Sequence, residues 1–214
     1  MEKGQAQYRT SRWGARQLAT MALLTAIGII LSFIEPSIMP AAPFLKYDAS
    51  NVPAVLGGLA YGPGAGCLIG IISAWVHALL SGNYWGAIVN TVVIIGYVVP
   101  VSLIYRASRG LGRSKLGEFK NSRMVSAFEA SAKNQKRLIN GNLALILGFV
   151  ISSLLSIVLA LAMNLLITPI YTAAPLSSVV AMIVPILLPF NLIKVAINSV
   201  LAFVLMKSLH SFIK

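Results

Sequence analysis

Lys194 is the residue whose placement most directly suggests chemistry, because it lies inside the last long apolar stretch of the chain. A lysine within a membrane-spanning helix costs roughly 2.5–3.5 kcal/mol on insertion scales, so such a residue is considered first as part of a functional site. The alternative is that its long side chain reaches a lipid headgroup. Because Lys194 lies well inside the stretch, we expect it to contact a ligand.

Two asparagines accompany this lysine. Asn191 lies three residues before Lys194 and Asn198 four residues after it, which places all three on one helix face. Asparagines alone would favour contacts between helices, but the lysine beside them favours a polar cavity. Pro189, just before them, removes a helical donor and frees a backbone carbonyl. A neutral, planar ligand with many hydrogen-bonding groups would suit these side chains.

Further polar residues follow the first and the fifth apolar stretches, and we expect them to join the same cavity. They are Lys46, Tyr47, Asp48, Asn164, Thr168 and Tyr171. Tyr47 and Tyr171, together with Phe44 and Trp85, offer aromatic surfaces for a planar ligand. Asp48 either pairs with Lys46 or caps the helix that begins near residue 52.

Sequence patterns of enzymes do not occur: there is no HExxH, GxSxG, P-loop or zinc-type Cys/His cluster. His77 and His210 lie near the ends of apolar stretches, which fits interfacial positions. The single Cys67 excludes an intrachain disulfide. Among the carboxylates only Glu35 and Asp48 lie near the expected external side. A membrane enzyme and a proton-coupled carrier are therefore poor interpretations.

The elements that must position these residues are transmembrane helices. Hydrophobic residues make up 57% of the chain and charged residues 10%, whereas soluble domains carry about 25% charged residues. We predict an all-α integral membrane protein, a single transmembrane domain over 1–214. Its six-helix bundle would use the segments 15–33, 52–61, 65–80, 85–105, 143–166 and 179–206, the last broken by Pro185 and Pro189. The second segment is too short to cross about 30 Å.

The net charge of +12 is explained by membrane topology and anionic lipid rather than by nucleic acid, because the basic residues cluster beside apolar stretches. A cytoplasmic N-terminus, and with it a cytoplasmic C-terminus, leaves 15 of 17 basic residues inside. The segment 35–51 is then an external loop, and 164–178 an external connection. The segment 106–140 becomes a basic cytoplasmic loop, either simply solvated or a contact surface.

The first predicted helix carries a strip of small residues. Ala15, Ala19, Ala22 and Ala26 follow one another at spacings of four, three and four residues, so they share one face. Small faces let another helix approach closely. The approaching helix belongs either to this bundle or to a partner protein.

Several stretches carry a family resemblance. They are FLKYDASNVP at 44–53, YGPGAG at 61–66 and PFNLIK at 189–194, with support from Asn164 and the TPIY that ends at Tyr171. Over roughly 15–210 the chain resembles the substrate-binding S components of energy-coupling factor (ECF) vitamin transporters, most closely the riboflavin-specific type. The alanine strip matches the Ala-xxx-Ala signature of these components.

The resemblance implies a bacterial plasma-membrane protein that binds riboflavin from outside as a transported ligand, with no cofactor and no enzymatic activity. It implies that Asn164, Asn191 and Lys194 hydrogen-bond the flavin, and that Leu45, Lys46, Tyr47 and Asp48 belong to a lid. The alanine strip would meet a transmembrane coupling subunit, which two ATPase subunits drive from the cytoplasm.

Alternatives remain within and outside this class. The chain resembles S components in general, so another vitamin is open, and so is FMN, for which Lys46 is a spare cation at the mouth. From a different class, a self-sufficient facilitator or small channel would also need a polar cavity in a small bundle.

Overall fold

The computed structural model describes residues 13–39, 45–108, 141–173 and 175–212. Within these ranges the chain forms six helical rods, which confirms the predicted all-helical architecture. The first five are α1 (Ala15–Ser32), α2 (Asn51–Tyr61), α3 (Pro63–Ser81), α4 (Tyr84–Ser108) and α5 (Gly141–Thr172). The last consists of α6 (Leu176–Met182), a π-helical segment (Ile183–Leu187) and α7 (Leu188–Phe212). All but α2 are long and apolar enough to cross a membrane.

The short helix α2 lies at the centre of the bundle. It packs against α1, α3, α4 and α7, and every residue from its first, Asn51, to Leu59 is buried. Eleven residues span only about 16 Å as a helix, so α2 is too short to cross a bilayer, as expected. Gly66 of α3 lies so close to it that a Cβ there would collide with the Ala54 carbonyl. The glycine-rich sequence thus allows α2 and α3 to pack backbone to backbone.

The prediction that the fifth helix ends at 166 is wrong, and the connection predicted over 164–178 is shorter than expected. Helix α5 continues through Pro169 to Thr172, so Asn164 and Thr168 project from a helix. The Thr172 hydroxyl donates to the Thr168 carbonyl at 2.6 Å and supports the last turn. The connection to α6 contains Ala173, whose φ is +53°.

The expected break at Pro185 and Pro189 does not occur either. The chain passes both prolines as one rod, with the π-helical segment Ile183–Leu187 between α6 and α7. A single π turn is a common way for a helix to absorb such a local mismatch, and it is frequent at functional sites. Directly after it, the Asn191 side chain donates to the Leu187 carbonyl at 2.8 Å.

Helix α1 lies at the edge of the bundle, packed against α2 and α3. Its inner face carries Met21, Gly28 and Ser32, and a Cβ at Gly28 would collide with the Ser73 side chain of α3. The predicted basic loop 106–140 begins later than expected, since α4 runs to Ser108. The remainder of that loop, 109–140, and Phe44 lie outside the described residues.

Candidate substrate-binding site

A polar cleft lies at one end of the bundle, between the segment that joins α1 to α2 and the helices α3, α4, α5 and α7. Its lining combines charged, amide, aromatic and small apolar side chains. The polar and aromatic ones are Glu35, Lys46, Asp48, His77, Asn83, Trp85, Asn90, Asn164, Thr168, Phe190, Asn191 and Lys194. Of the nine predicted substrate-binding residues, seven line this cleft: Leu45, Lys46, Asp48, Asn164, Thr168, Asn191 and Lys194.

Helix α7 contributes the amide and the ammonium group that the sequence singled out. Asn191 is buried and gives its amide hydrogen to the Leu187 carbonyl, while no described residue donates to its Oδ1. Lys194 is half-buried, and its Nζ donates to Asn90 Oδ1 at 3.4 Å. The long contact to Asn90 leaves this cation able to donate to a ligand as well.

Helix α5 contributes a second amide across the cleft. Asn164 Nδ2 donates to the Ala160 carbonyl at 2.8 Å, and its Oδ1 accepts a long hydrogen bond of 3.4 Å from the Thr168 hydroxyl. Both asparagines therefore use their own helix to fix the side-chain amide, so they enter the cleft in a set orientation. Tyr171 lies on α5, but its side chain is outside the described residues.

Asp48 supports the start of α2 rather than pairing with Lys46. Its carboxylate accepts hydrogen bonds from the Ser50 amide at 2.7 Å, the Ser50 hydroxyl at 2.9 Å and Asn90 Nδ2 at 3.3 Å. Of the two alternatives for Asp48, the structure therefore favours the one at the helix start. Because Asn90 contacts both Lys194 and Asp48, one amide joins α7 to the segment before α2.

Asn198 lies beneath the cleft and holds the segment above it. Its Nδ2 donates to the Asp48 carbonyl oxygen at 3.3 Å, and its Oδ1 accepts from the Tyr47 hydroxyl at 2.7 Å. Burial, and then the Asp48 charge, raise the pKa of the Tyr47 hydroxyl, so it stays protonated and donates. Neither Tyr47 nor Asn198 lines the cleft. The predicted α7 stripe thus divides, with two residues facing the cleft and one joining structural elements.

An ion-pair group forms the mouth of the cleft. Lys46 Nζ lies 2.7 Å from Glu35 Oε2, and His77 Nε2 lies 3.2 Å from Glu35 Oε1. The His77 ring also packs edge-on against Phe33, with 4.9 Å between ring centroids. Next to this group, Ser37 and Lys46 form an isolated antiparallel bridge. Glu35, at the start of the connecting segment, therefore links Lys46 near the end of that segment to His77 of α3.

Comparisons with known proteins agree with this geometry. Residues 16–206 match the family model "ECF transporter, substrate-specific component". The chain belongs to this family. Its members are substrate-binding components of transporters and not enzymes, and the apolar helices make this S component a multi-pass membrane protein.

Individual relatives cover almost the whole chain. The riboflavin transporter RibU of Staphylococcus aureus (strain TCH60) is 26% identical over 201 residues, which is 93% of each chain. The riboflavin transporter FmnP of Bacillus subtilis (strain 168) is 27% identical over 108 residues, covering 47% of this chain and 57% of FmnP. A solved S component of a bacterial ECF transporter superposes with a TM-score of 0.67 at 24% identity, covering 93% of this chain and 98% of that one. It shows the fold.

Sequence reasoning missed five of the polar and aromatic residues that line this S component's cleft, namely Glu35, His77, Asn83, Asn90 and Phe190, and two of them are instructive. Asn90 is one, although a lone amide inside the apolar stretch 85–105 is itself a signal of polar contacts in a membrane helix. Glu35 is the other, since it was noted only for being near the external side. Nothing in the sequence indicates that it meets Lys46 and His77, because that contact depends on how the connecting segment folds back.

Proposed function

We propose that this S component is the riboflavin-binding subunit of an ECF-type uptake transporter in the bacterial plasma membrane. The observation that carries the proposal is the cleft in which two oriented amides, Asn164 and Asn191, and one cation, Lys194, face a common space. Riboflavin presents carbonyl, imide and ring-nitrogen groups on a planar ring, and hydroxyls on its chain. The relatives named riboflavin transporters support this substrate over another vitamin.

Different cleft residues contact different parts of such a ligand. Asn164, Asn191 and Lys194 supply hydrogen bonds to the polar edges of the ring, with Thr168 beside them. Phe190 and Trp85 supply apolar surface for the ring faces. Ligand sites are commonly built in this way, from mostly apolar walls and a few placed polar groups.

The segment before α2 acts as a lid over the bound flavin. Leu45, Lys46 and Asp48 line the cleft from this segment, and Tyr47 anchors its base. Under the predicted topology, with both chain termini in the cytoplasm, the mouth opens to the outside and admits riboflavin there. Loops that cover a site move to admit the ligand. Because Tyr47 anchors the end of the segment nearest α2, we expect the residues farther from α2 to move.

Helix α1 provides the surface for coupling to transport. Ala15, Ala19, Ala22 and Ala26 are all exposed, on the side of α1 away from buried Met21, Gly28 and Ser32. Their exposure favours a partner protein over packing within this bundle. The proposed partner is the transmembrane coupling subunit of an ECF module, driven by two ATPase subunits in the cytoplasm.

The test is a flavin titration of the purified protein in detergent, followed by quenching of riboflavin fluorescence. Losing a hydrogen bond from a buried charged group costs about 1–3 kcal/mol, so Lys194→Met should weaken riboflavin binding roughly tenfold to a hundredfold. Lys207→Met is the matched control, because Lys207 lies exposed on the same helix and outside the cleft. Wild-type protein without riboflavin affinity, or equal affinities in the two variants, would contradict the proposal.

A further inference from the structure

The charged groups of the cleft are balanced among themselves. Its lining holds two lysines, Lys46 and Lys194, and two carboxylates, Glu35 and Asp48. Lys46 contacts Glu35 directly, whereas Lys194 reaches Asp48 through Asn90. Each cation of the described lining is therefore balanced by one carboxylate, directly for Lys46 and through an amide for Lys194. Such a balance fits a neutral ligand.

Lys46 was a spare cation at the mouth when only the sequence was considered, and a phosphate group would need one there. The structure assigns it to Glu35 at 2.7 Å. The carboxylate is the more enclosed partner, with 20% of its side chain exposed against 54% for the lysine. His77 holds the other Glu35 oxygen at 3.2 Å. The Glu35 carboxylate is thus held beside the opening of the cleft, and its contacts with Lys46 and His77 set the orientation of the side chain.

We propose that Glu35 is a specificity-determining residue, which makes this site select a neutral flavin and reject its phosphate monoester. The inference rests on the proposed function, since it concerns which flavin the same cleft accepts. Discrimination between close analogues often depends on a repulsive group against the wrong one, in addition to contacts with the right one. Glu35 is such a group at the mouth of this cleft.

The physical reason is electrostatic. A phosphate monoester carries about −1.5 to −2 charges at pH 7, and at this mouth it would meet the Glu35 carboxylate. It would have to share the Lys46 ammonium group with Glu35, which already accepts a hydrogen bond from it. Among the described residues, Asn83 and Trp85 share the exposed rim of the cleft and add no positive charge that would compensate. Riboflavin, being neutral, meets neither penalty.

The experiment compares riboflavin and FMN affinities of the purified full chain by fluorescence quenching. Glu35→Gln keeps the size of the side chain, removes its charge and releases the Lys46 charge. We expect FMN to bind about tenfold more tightly than to wild type, since one like charge is removed and one cation is freed near the phosphate. The ratio of FMN affinity to riboflavin affinity should therefore rise about tenfold, because a neutral ligand senses the charge only weakly.

Two matched variants show whether charge is the cause. Glu35→Asp keeps the negative charge and should leave the ratio of the two affinities within about threefold of wild type. Lys46→Met combined with Glu35→Gln should keep part of the gain in FMN affinity, because the like charge is still removed although the freed cation is absent. If Glu35→Gln does not fold, Glu35→Ala provides the same neutral position.

The affinity ratios of these variants test the role of Glu35 separately from the proposed function. An unchanged affinity ratio in a neutral variant that still binds riboflavin overturns the role of Glu35 and leaves the proposed function standing. Complete loss of the gain in the double variant also overturns it, because the freed Lys46 and not the Glu35 charge would then be the cause. Wild-type protein that binds neither flavin overturns both proposals.

Discussion

The cleft and the alanine face of α1 are built in opposite ways. The cleft collects polar side chains from the segment before α2 and from α3, α4, α5 and α7, and they contact one another across long sequence separations. The alanine face consists of four exposed methyl groups at regular spacing on one helix. Hydrogen bonds connect the side chains of the cleft to one another. The alanine face offers a partner only a surface of small methyl groups.

This difference indicates how binding and coupling are kept apart. Helix α1 packs against α2 and α3, and none of its residues lines the cleft. A substitution on the outer face of α1 should therefore leave ligand binding unaffected. A substitution in the hydrogen-bond network of the cleft should affect several elements at once. The following predictions test that separation, beginning with the largest expected effect.

The strongest test enlarges one alanine of the face. Ala22→Trp should abolish uptake of riboflavin into cells that contain the coupling module, because a large side chain prevents close approach of a partner helix. Riboflavin affinity of the purified variant should stay within about twofold of wild type, since Ala22 is exposed and outside the cleft. Uptake of labelled riboflavin and fluorescence titration measure the two quantities.

Ala162→Trp is the matched control, with the same substitution at an exposed position of α5. It should transport normally. Two results would contradict the separation of the regions. One is intact uptake by Ala22→Trp, and the other is a loss of its riboflavin binding together with uptake.

A smaller effect is expected from the amide that joins Lys194 to Asp48. Asn90→Leu keeps a similar volume but removes both hydrogen bonds, so riboflavin affinity should fall about tenfold. Uptake at saturating riboflavin should persist, because the alanine face is untouched. Thr91→Val is the control, since Thr91 bonds Trp75 outside the cleft and its loss should leave affinity unchanged.

The same residue also tests whether it acts through the lysine. If Asn90 positions Lys194, the Asn90→Leu change should cost little further affinity in a Lys194→Met background. Additive losses in the double variant would mean that Asn90 touches the ligand independently.

The sequence predicted the parts of this molecule that depend on local patterns. Apolar stretches between turns located the rods, and a lysine deep in one of them pointed to the cleft. Prolines misled part of the prediction, because a break was expected at Pro185 and Pro189, and the fifth helix runs past its predicted end at 166 and through Pro169. In the bundle, a continuous α5 and a π-helical segment accommodate them. A proline signals a local cost, and only the surrounding helices decide whether that cost is met.

Contacts between distant residues could not be predicted from the sequence for a related reason. Lys46 has Asp48 two residues away, yet it pairs with Glu35, because the bridge between Ser37 and Lys46 brings the two ends of the connecting segment together. Asn198 shares a helix face with Asn191, but the Tyr47 hydroxyl and the Asp48 carbonyl occupy its amide.

The smallest predicted effect concerns the base of the lid. Tyr47→Phe removes the hydroxyl that donates to Asn198 Oδ1 at 2.7 Å but keeps the ring packed in place. A single net hydrogen bond contributes about 0.5–1.5 kcal/mol, and part of that loss should appear as freer movement of the segment over the cleft. We expect riboflavin to dissociate about threefold faster in stopped-flow fluorescence, with uptake retained. Tyr84→Phe, at an exposed tyrosine of α4, should release riboflavin at the wild-type rate. Equal dissociation rates for Tyr47→Phe and wild type would mean that the anchor does not hold the lid, and that the cleft is closed by its deeper contacts alone.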